Sequence, residues 1–326
     1  MSTSPRPEII FGASTVGGGG SFGNAFPTQE STQELLTTLK ECGITRIDTA
    51  AMYPPMAPGE SERLLGLAGA LQQGFAVDTK IMTTMGKLEG TLTPEKIQNS
   101  VATSRQSLAV DEKGATINVL YCHWPDPETP LEKQAAACDE QYRKGFFSKL
   151  GVSNFSPEMV EAWMEISNRK GYVKPTVYQG LYNVIQRESE TKLFPTLRKH
   201  GISFTAYLPL AGGFLSGKLT AGNAAGPRFD PEDPMGGMML AIYDKKEMHS
   251  TVIKLNETIF AMGISSIEAS LRWIFYHSAL GPKDGVIIGA SRVSQIRSNV
   301  ESISKGPLPA EVVQSMDSLW QMQSNA

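Results

Sequence analysis

The sequence predicts an α/β fold, a parallel (β/α)₈ TIM barrel spanning residues 1–326 as one domain, with C-terminal helices and a long loop after strand seven. Three observations carry this. Short apolar stretches alternate with helix-period stretches along the whole chain. The apolar stretches end near Ala13, Asp48, Lys80, His123, Asn154, Asn183, Leu210 and Ile288, and eight such units close a barrel rather than extend an open doubly wound sheet. A length of 326 residues suits one barrel with insertions better than two ordinary domains.

From Glu8 to Ala13 an apolar strand runs into a glycine loop in which Gly18, Gly20 and Gly23 formally satisfy the dinucleotide fingerprint G-x-G-x-x-G. That fingerprint needs its last glycine at a helix start, so that a pyrophosphate meets the helix N-terminus. Here Phe26-Pro27 intervenes, and helical periodicity begins only around Leu35, Leu36 and Leu39. The stretch therefore reads as a loop at a pocket mouth, with a Rossmann dehydrogenase as the alternative. Helix stops follow at Gly43, Gly74, Gly145, Gly171 and Gly201, mostly behind basic residues that suit the end of a helix dipole. Helix starts are expected at Thr93-Pro94, Thr129-Pro130 and Ser156-Pro157, an N-cap hydroxyl before a proline at the first helical position. Between Leu219 and Lys245 a Gly/Pro/Met-rich insertion has weak periodicity and reads as a lid, with disorder as the alternative. Helices over Ser265–Leu280 and Pro309–Gln323 close the chain.

With 40% hydrophobic and 19% charged residues and a net charge of -3, the chain has no basic field to attract nucleic acid, and small metabolites are the expected partners. Cys42, Cys122 and Cys138 show no Cys-x-x-Cys spacing, so neither a disulfide framework nor a zinc site is expected, and the compartment reads as reducing. Met1 to Pro7 lacks the apolar core of a signal peptide, and no apolar run approaches the ~18 residues of a membrane span. A cytoplasmic location is the expectation.

Four ionisable residues fall on successive strand ends or the loop after one: Asp48, Tyr53, Lys80 and His123. A lysine after Phe-Ala-Val and a histidine after Asn-Val-Leu-Tyr-Cys should lie deep at the barrel top, where an unpaired charge is costly. Asp48 is the natural counter-ion for Lys80. The ammonium should lower the pKa of Tyr53 from its ordinary ~10 and suit it to general acid catalysis. A neutral His123 would orient a substrate carbonyl. Taken singly, each residue has a structural explanation: a helix cap, a packed amphipath, an ion pair, a satisfied core histidine. Convergence on one face of the barrel favours chemistry.

Asp48-Thr-Ala followed by Tyr53, the Thr-Lys80 strand end, Leu-Tyr-Cys-His123-Trp and Gly151-Val-Ser-Asn-Phe155 resemble, in order along nearly the whole chain, the motif series of the aldo-keto reductases. Pro175-Thr-Val-Tyr-Gln-Gly-Leu-Tyr-Asn183, Leu193-Phe-Pro195 and Tyr207-Leu-Pro-Leu-Ala-Gly-Gly213 with Ser216-Gly-Lys218 are most similar to the aflatoxin-aldehyde reductase branch. The resemblance implies a tetrad of Asp48, Tyr53, Lys80 and His123, reduction of aldehydes or ketones with NADPH, and, since members of that branch are often dimers, a homodimer. Some members of the superfamily are instead nicotinamide-sensing regulatory subunits of membrane channels; the complete tetrad and the short N-terminus speak against that reading here.

For the cofactor the resemblance implies Ser153, Asn154 and Gln179 at the carboxamide and Tyr207 stacked on the nicotinamide ring. Leu208, Leu210, Gly212 and Lys218 would line the pyrophosphate path. Ser291 and Arg292, at the start of a helix carrying Gln295 and Asn299, form a reasonable 2′-phosphate site and favour NADP over NAD. Many family members have a Lys-Ser pair after strand eight and an arginine on the helix; Gly289-Ala290 and Gln295 stand there instead. The substrate wall is read as Phe22, Met52 and Trp124, with Arg228 of the insertion able to meet an anionic substrate.

Overall fold

Eight parallel strands close into a barrel in sequence order: β1 (Glu8–Gly12), β2 (Arg46–Asp48), β3 (Ala76–Lys80), β4 (Ile117–Cys122), β5 (Phe147–Ser153), β6 (Pro175–Leu181), β7 (Ser203–Tyr207) and β8 (Gly285–Ile288). The structure is a computed structural model and describes residues 6–18, 24–83, 87–110, 115–223, 227–260 and 262–324. The expected strand ends coincide with the observed ones at Asp48, Lys80 and Ile288. The largest difference is at β7, which stops at Tyr207 because Leu208 turns to φ 55 and leaves the extended region. A closed barrel has no topological switch point, so the Rossmann alternative falls. After Gly17, whose N–H donates to the Phe26 carbonyl, the first helix waits until Gln29, behind an N-cap at Thr28.

The helices are α1 (Gln29–Glu41), α2 (Glu60–Leu67), α3 (Pro94–Ser107), α4 (Leu131–Arg143), α5 (Pro157–Lys170), α6 (Leu193–Lys199), α7 (Pro234–Tyr243), α8 (Lys246–Phe260), α9 (Ser266–Tyr276), α10 (Val293–Ser304) and α11 (Ala310–Ser324). Thr93 and Ser156 cap α3 and α5 as expected, their hydroxyls accepting from the N–H groups of Lys96 and Met159. Thr129 does not cap α4. That helix starts at Leu131 without a side-chain cap, because Asp126 takes over the turn: its carboxylate accepts from the amides of Gly90, Leu92, Glu128 and Thr129. All five expected stop glycines are left-handed, but α2 already ends at Leu67 and Gly74 closes the turn beyond it.

The described part of the insertion after β7 carries regular structure. It contains a 3₁₀ turn (Pro227–Phe229) and α7, which the sequence hides because Pro234, Gly236 and Gly237 weaken its helical signal. Tertiary packing supplies what propensity does not: Tyr243 stacks on Phe214 at 5.5 Å and meets Phe229 edge-on at 6.5 Å.

The main core lies between the strands and the helices, with a small separate cluster of Val119, Tyr121 and Val177 on the inner faces of β4 and β6. Inward-facing Tyr121 explains Gly151: a Cβ there would stand 2.3 Å from the Tyr121 ring. Gly151→Ala is therefore an overpacking change and should destabilise the fold by about 1–3 kcal/mol. A denaturant midpoint equal to that of the parent chain would contradict this packing.

Candidate active site

Residues at the C-terminal ends of β2, β3 and β4 meet at the barrel mouth. Asp48 and Lys80 are the last residues of their strands, His123 directly follows β4, and Tyr53 stands in the turn after β2. Lys80 is fully buried, and its Nζ donates to Asp48 Oδ2 at 2.7 Å and to the Thr49 carbonyl at 2.7 Å. The other oxygen of Asp48 accepts from Gln179 Nε2 at 2.7 Å. Lys80 Nζ lies 4.9 Å from the centre of the Tyr53 ring, and the His123 ring meets that ring edge-on at 5.9 Å and 85°. The four residues picked out along the chain are thus one cluster.

Burial would strip Lys80 of its proton, but Asp48, Tyr53 and Asp78 together outweigh it and hold the ammonium above its ordinary pKa. His123 is pushed well below the usual imidazole range, first by burial and then by the charge of Lys80, so it is neutral. Tyr53 departs from expectation. The charge of Lys80 and a hydrogen bond from it do pull the phenol down, but burial is the larger effect and its pKa stands above the ordinary value. The site holds a protonated phenol beside a fixed ammonium, which is the starting state of a proton donor.

Around this cluster, Tyr207 OH donates to Asn154 Oδ1 at 2.8 Å, and Asn154 Nδ2 donates to the His123 carbonyl and to Ser153 Oγ, each at 3.1 Å. Asn154, Leu208 and Ala211 have φ of 64, 55 and 51, values that non-glycine residues avoid, so backbone strain is concentrated on this rim. Leu208 and Leu210 are half-buried, Gly212 is buried at φ 69, and Lys218 is exposed. With one amide N–H committed to Asp48, Gln179 keeps its second N–H and its carbonyl oxygen to offer a ligand. At the start of α10, Ser291 and Arg292 are exposed; Arg292 is the N-cap and gives no side-chain cap. Gln295 folds back, its Oε1 accepting from Ser291 N–H at 2.8 Å and Ser291 Oγ at 3.2 Å, while Asn299 is buried further along the helix. Strained backbone, an amide-rich rim and an uncapped helix start beside an arginine fit a nucleotide with anionic groups.

Of the expected substrate wall, Phe22 lies outside the described residues. Trp124 is 38% exposed beside His123. Met52 is buried, its sulfur accepting the Thr83 hydroxyl at 3.3 Å. Among the described residues, Met56 and Met82, in the loops after β2 and β3, are the exposed thioethers there; their only sequence signal is closeness to Tyr53 and Lys80. Arg228 turns inward: its Nη2 lies 3.5 Å from where a Cβ on Gly289 would stand, and its charge reaches Tyr53. A groove of about 670 Å³ along α1 and α10, lined by Glu34, Thr38, Glu41 and Arg297 among others, lies on the outer wall and includes none of these residues. Among the described residues no His, Cys, Asp and Glu group could hold a metal ion, and no helix is long and apolar enough to cross a membrane.

The sequence pattern of the aldo/keto reductase family matches residues 8–321. The chain is 34% identical over 292 residues to an aldo-keto reductase of Pseudocercospora fijiensis, covering 88% of this chain and 96% of that one. It is 34% identical over 332 residues to the oxidoreductase sirO of Leptosphaeria maculans, covering 99% and 97%. It is 33% identical over 336 residues to the aflatoxin B1 aldehyde reductase member 2 of Rattus norvegicus, covering 98% and 89%. A closed eight-stranded barrel with Asp48, Tyr53, Lys80 and His123 gathered at its mouth, matched to the family from the first strand into the last helix, makes this chain a member of the aldo/keto reductases, oxidoreductases acting on aldehydes or ketones.

Proposed function

We propose that this enzyme reduces aldehydes or ketones to alcohols with NADPH, and that Tyr53 is the general acid. The observation that carries the reading is the placement of a buried ammonium, fixed by Asp48 and the Thr49 carbonyl, 4.9 Å from the centre of the Tyr53 ring, with neutral His123 edge-on to that ring at 5.9 Å. A carbonyl oxygen entering between Tyr53 and His123 accepts hydrogen bonds from both. As negative charge grows on that oxygen, the Tyr53 O–H bond breaks and its proton passes to the forming alcohol. Lys80 stabilises the phenolate that remains, and Asp48 keeps Lys80 charged. What a bound nicotinamide contributes is the hydride for the carbonyl carbon. Ser153, Asn154, Gln179 and Tyr207 are the residues to hold it, with Leu208, Leu210, Gly212 and Lys218 along the pyrophosphate.

General acid catalysis of this kind contributes ~10²–10⁴-fold, so Tyr53→Phe should lose at least that much turnover while NADPH still binds. NADPH oxidation against an aromatic aldehyde, succinic semialdehyde, a dicarbonyl and an aromatic ketone measures it, and undiminished turnover in the variant refutes the role of Tyr53.

The nucleotide preference rests on Ser291 and Arg292. Arg292→Ala should weaken NADPH binding about tenfold or more and leave NADH nearly unchanged, because an arginine–phosphate pair is lost from one nucleotide only. Equal losses for both nucleotides would remove the 2′-phosphate assignment.

Arg228 favours acidic aldehydes, since an inward guanidinium beside Tyr53 pairs with a substrate carboxylate. Arg228→Ala should raise KM for succinic semialdehyde more than for a neutral aldehyde of similar size. An equal rise for the two would sink the idea.

A further inference from the structure

The barrel interior holds a second ion pair directly beneath the catalytic one, and the proposed mechanism leaves it unused. On β2, Arg46 and Asp48 are two residues apart; on β3, Asp78 and Lys80 are two apart, so each pair shares the inward face of its strand. Asp48 and Asp78 are register partners across the two strands, which sets two buried carboxylates side by side. The charges run plus then minus along β2, and minus then plus along β3. Lys80 takes the upper carboxylate at 2.7 Å. Arg46 takes the lower one, with Nε and Nη2 each 2.8 Å from Asp78 Oδ2, while Asn118 Nδ2 donates to Asp78 Oδ1 at 2.6 Å. The remaining arm of Arg46 reaches Glu8 on β1 at 2.9 Å.

This arrangement decides where Lys80 points. An ammonium has three N–H donors. Two go to Asp48 and the Thr49 carbonyl, and the third is left for the side of Tyr53, whose ring centre is 4.9 Å away. Asp78 is a second buried anion two residues along the same strand and already acts on the Lys80 charge. Left without its own cation, it would compete with Asp48 for the ammonium and draw it down the barrel, away from Tyr53.

We propose that Arg46, with Asn118, is a positioning residue for the reaction: by holding Asp78 it reserves Lys80 for Asp48 and Tyr53. The inference rests on Tyr53 being the acid. The groups facing Asp78 are Arg46 and Asp48 from β2, Lys80 from its own strand, and Asn118 and Tyr121 from β4, while Glu8 of β1 meets the far arm of Arg46. Tyr121 lies under Lys80, its ring centre 6.0 Å from Nζ, and its phenol is held protonated first by burial and then by Asp78. Even with Arg46 and Asn118 beside it, burial pushes the Asp78 carboxyl up to about 6, so without Arg46 the carboxylate would turn to Lys80 as the remaining cation.

The test is the pH profile of kcat for reduction, in which the rate falls above the pKa of the acid. Arg46→Met leaves Asp78 to pull on Lys80, so the alkaline limb should move up by about one pH unit, with a lower plateau. Asp78→Asn removes the competitor and leaves Arg46 in place, so the limb should move down by about half a unit or more. Arg46→Met with Asp78→Asn should return it to within about 0.3 unit of the parent, and NADPH affinity should change less than about twofold throughout, since neither residue lies at the mouth. If Arg46→Met does not accumulate as folded protein, the Asp78→Asn shift and the double variant decide. Limbs that stay with the parent in these variants, alongside an inactive Tyr53→Phe, overturn the positioning role and leave the acid assignment standing. A Tyr53→Phe that keeps its turnover overturns the acid assignment itself.

Discussion

The buried ammonium of Lys80 is the constraint on which the rest of the molecule depends. A charge with no solvent contact at the top of a barrel needs an anion and enough hydrogen-bond acceptors, and failing that it gives up its proton. Asp48 supplies the anion, the Thr49 carbonyl a second acceptor, and Gln179 from across the barrel holds the far oxygen of Asp48. A pair so enclosed contributes little net stability, because desolvation offsets much of its attraction. Its use is positional. It fixes a positive charge beside a phenol that burial would otherwise keep inert, and the opposed effects on Tyr53 are the physical content of the site.

The neighbouring strand ends are tied into one rim by a short chain of hydrogen bonds, from Tyr207 through Asn154 to the His123 carbonyl, so that β7, β5 and β4 hold a common geometry. Three of the four described non-glycine residues with left-handed backbone, Asn154, Leu208 and Ala211, stand on that rim; the fourth, Ala109, follows α3. Such conformations cost about 1–3 kcal/mol each and persist where the surroundings over-determine them, which is a feature of binding sites. Across the mouth, the segment between β7 and β8 brings Arg228 inward on a scaffold of Phe214, Phe229 and Tyr243. The distal segment thereby brings a positive charge within reach of Tyr53.

Much of this was legible along the chain because it follows from local rules. Apolar runs bounded by left-handed glycines and hydroxyl-proline helix starts marked the units, and strand ends at Asp48, Lys80 and Ile288 fell where the apolar pattern stopped. What escaped depended on distant partners. Thr129 looked like a cap until Asp126 claimed its turn, and α7 looked like a loop because its helix is held by aromatic packing against Phe214. The contact between the Thr83 hydroxyl and the Met52 sulfur joins residues 31 positions apart. The direction of the Tyr53 shift was misjudged because burial is a property of the surroundings, and the sequence names the neighbouring charge but not the depth.

By itself, then, the sequence determined the eight-unit barrel, the four residues at its mouth and the family, since each is written in spacing and in residue type at strand ends. The tertiary structure alone decided which carboxylate pairs with which cation: Asp48 and Asp78 are 30 positions apart in sequence and neighbours in register, and only the pairing of β2 with β3 sets them side by side and divides Lys80 and Arg46 between them. Parallel register is fixed by crossover helices and packing, which are long-range, and so the electrostatics of the site come from the fold and not from any motif.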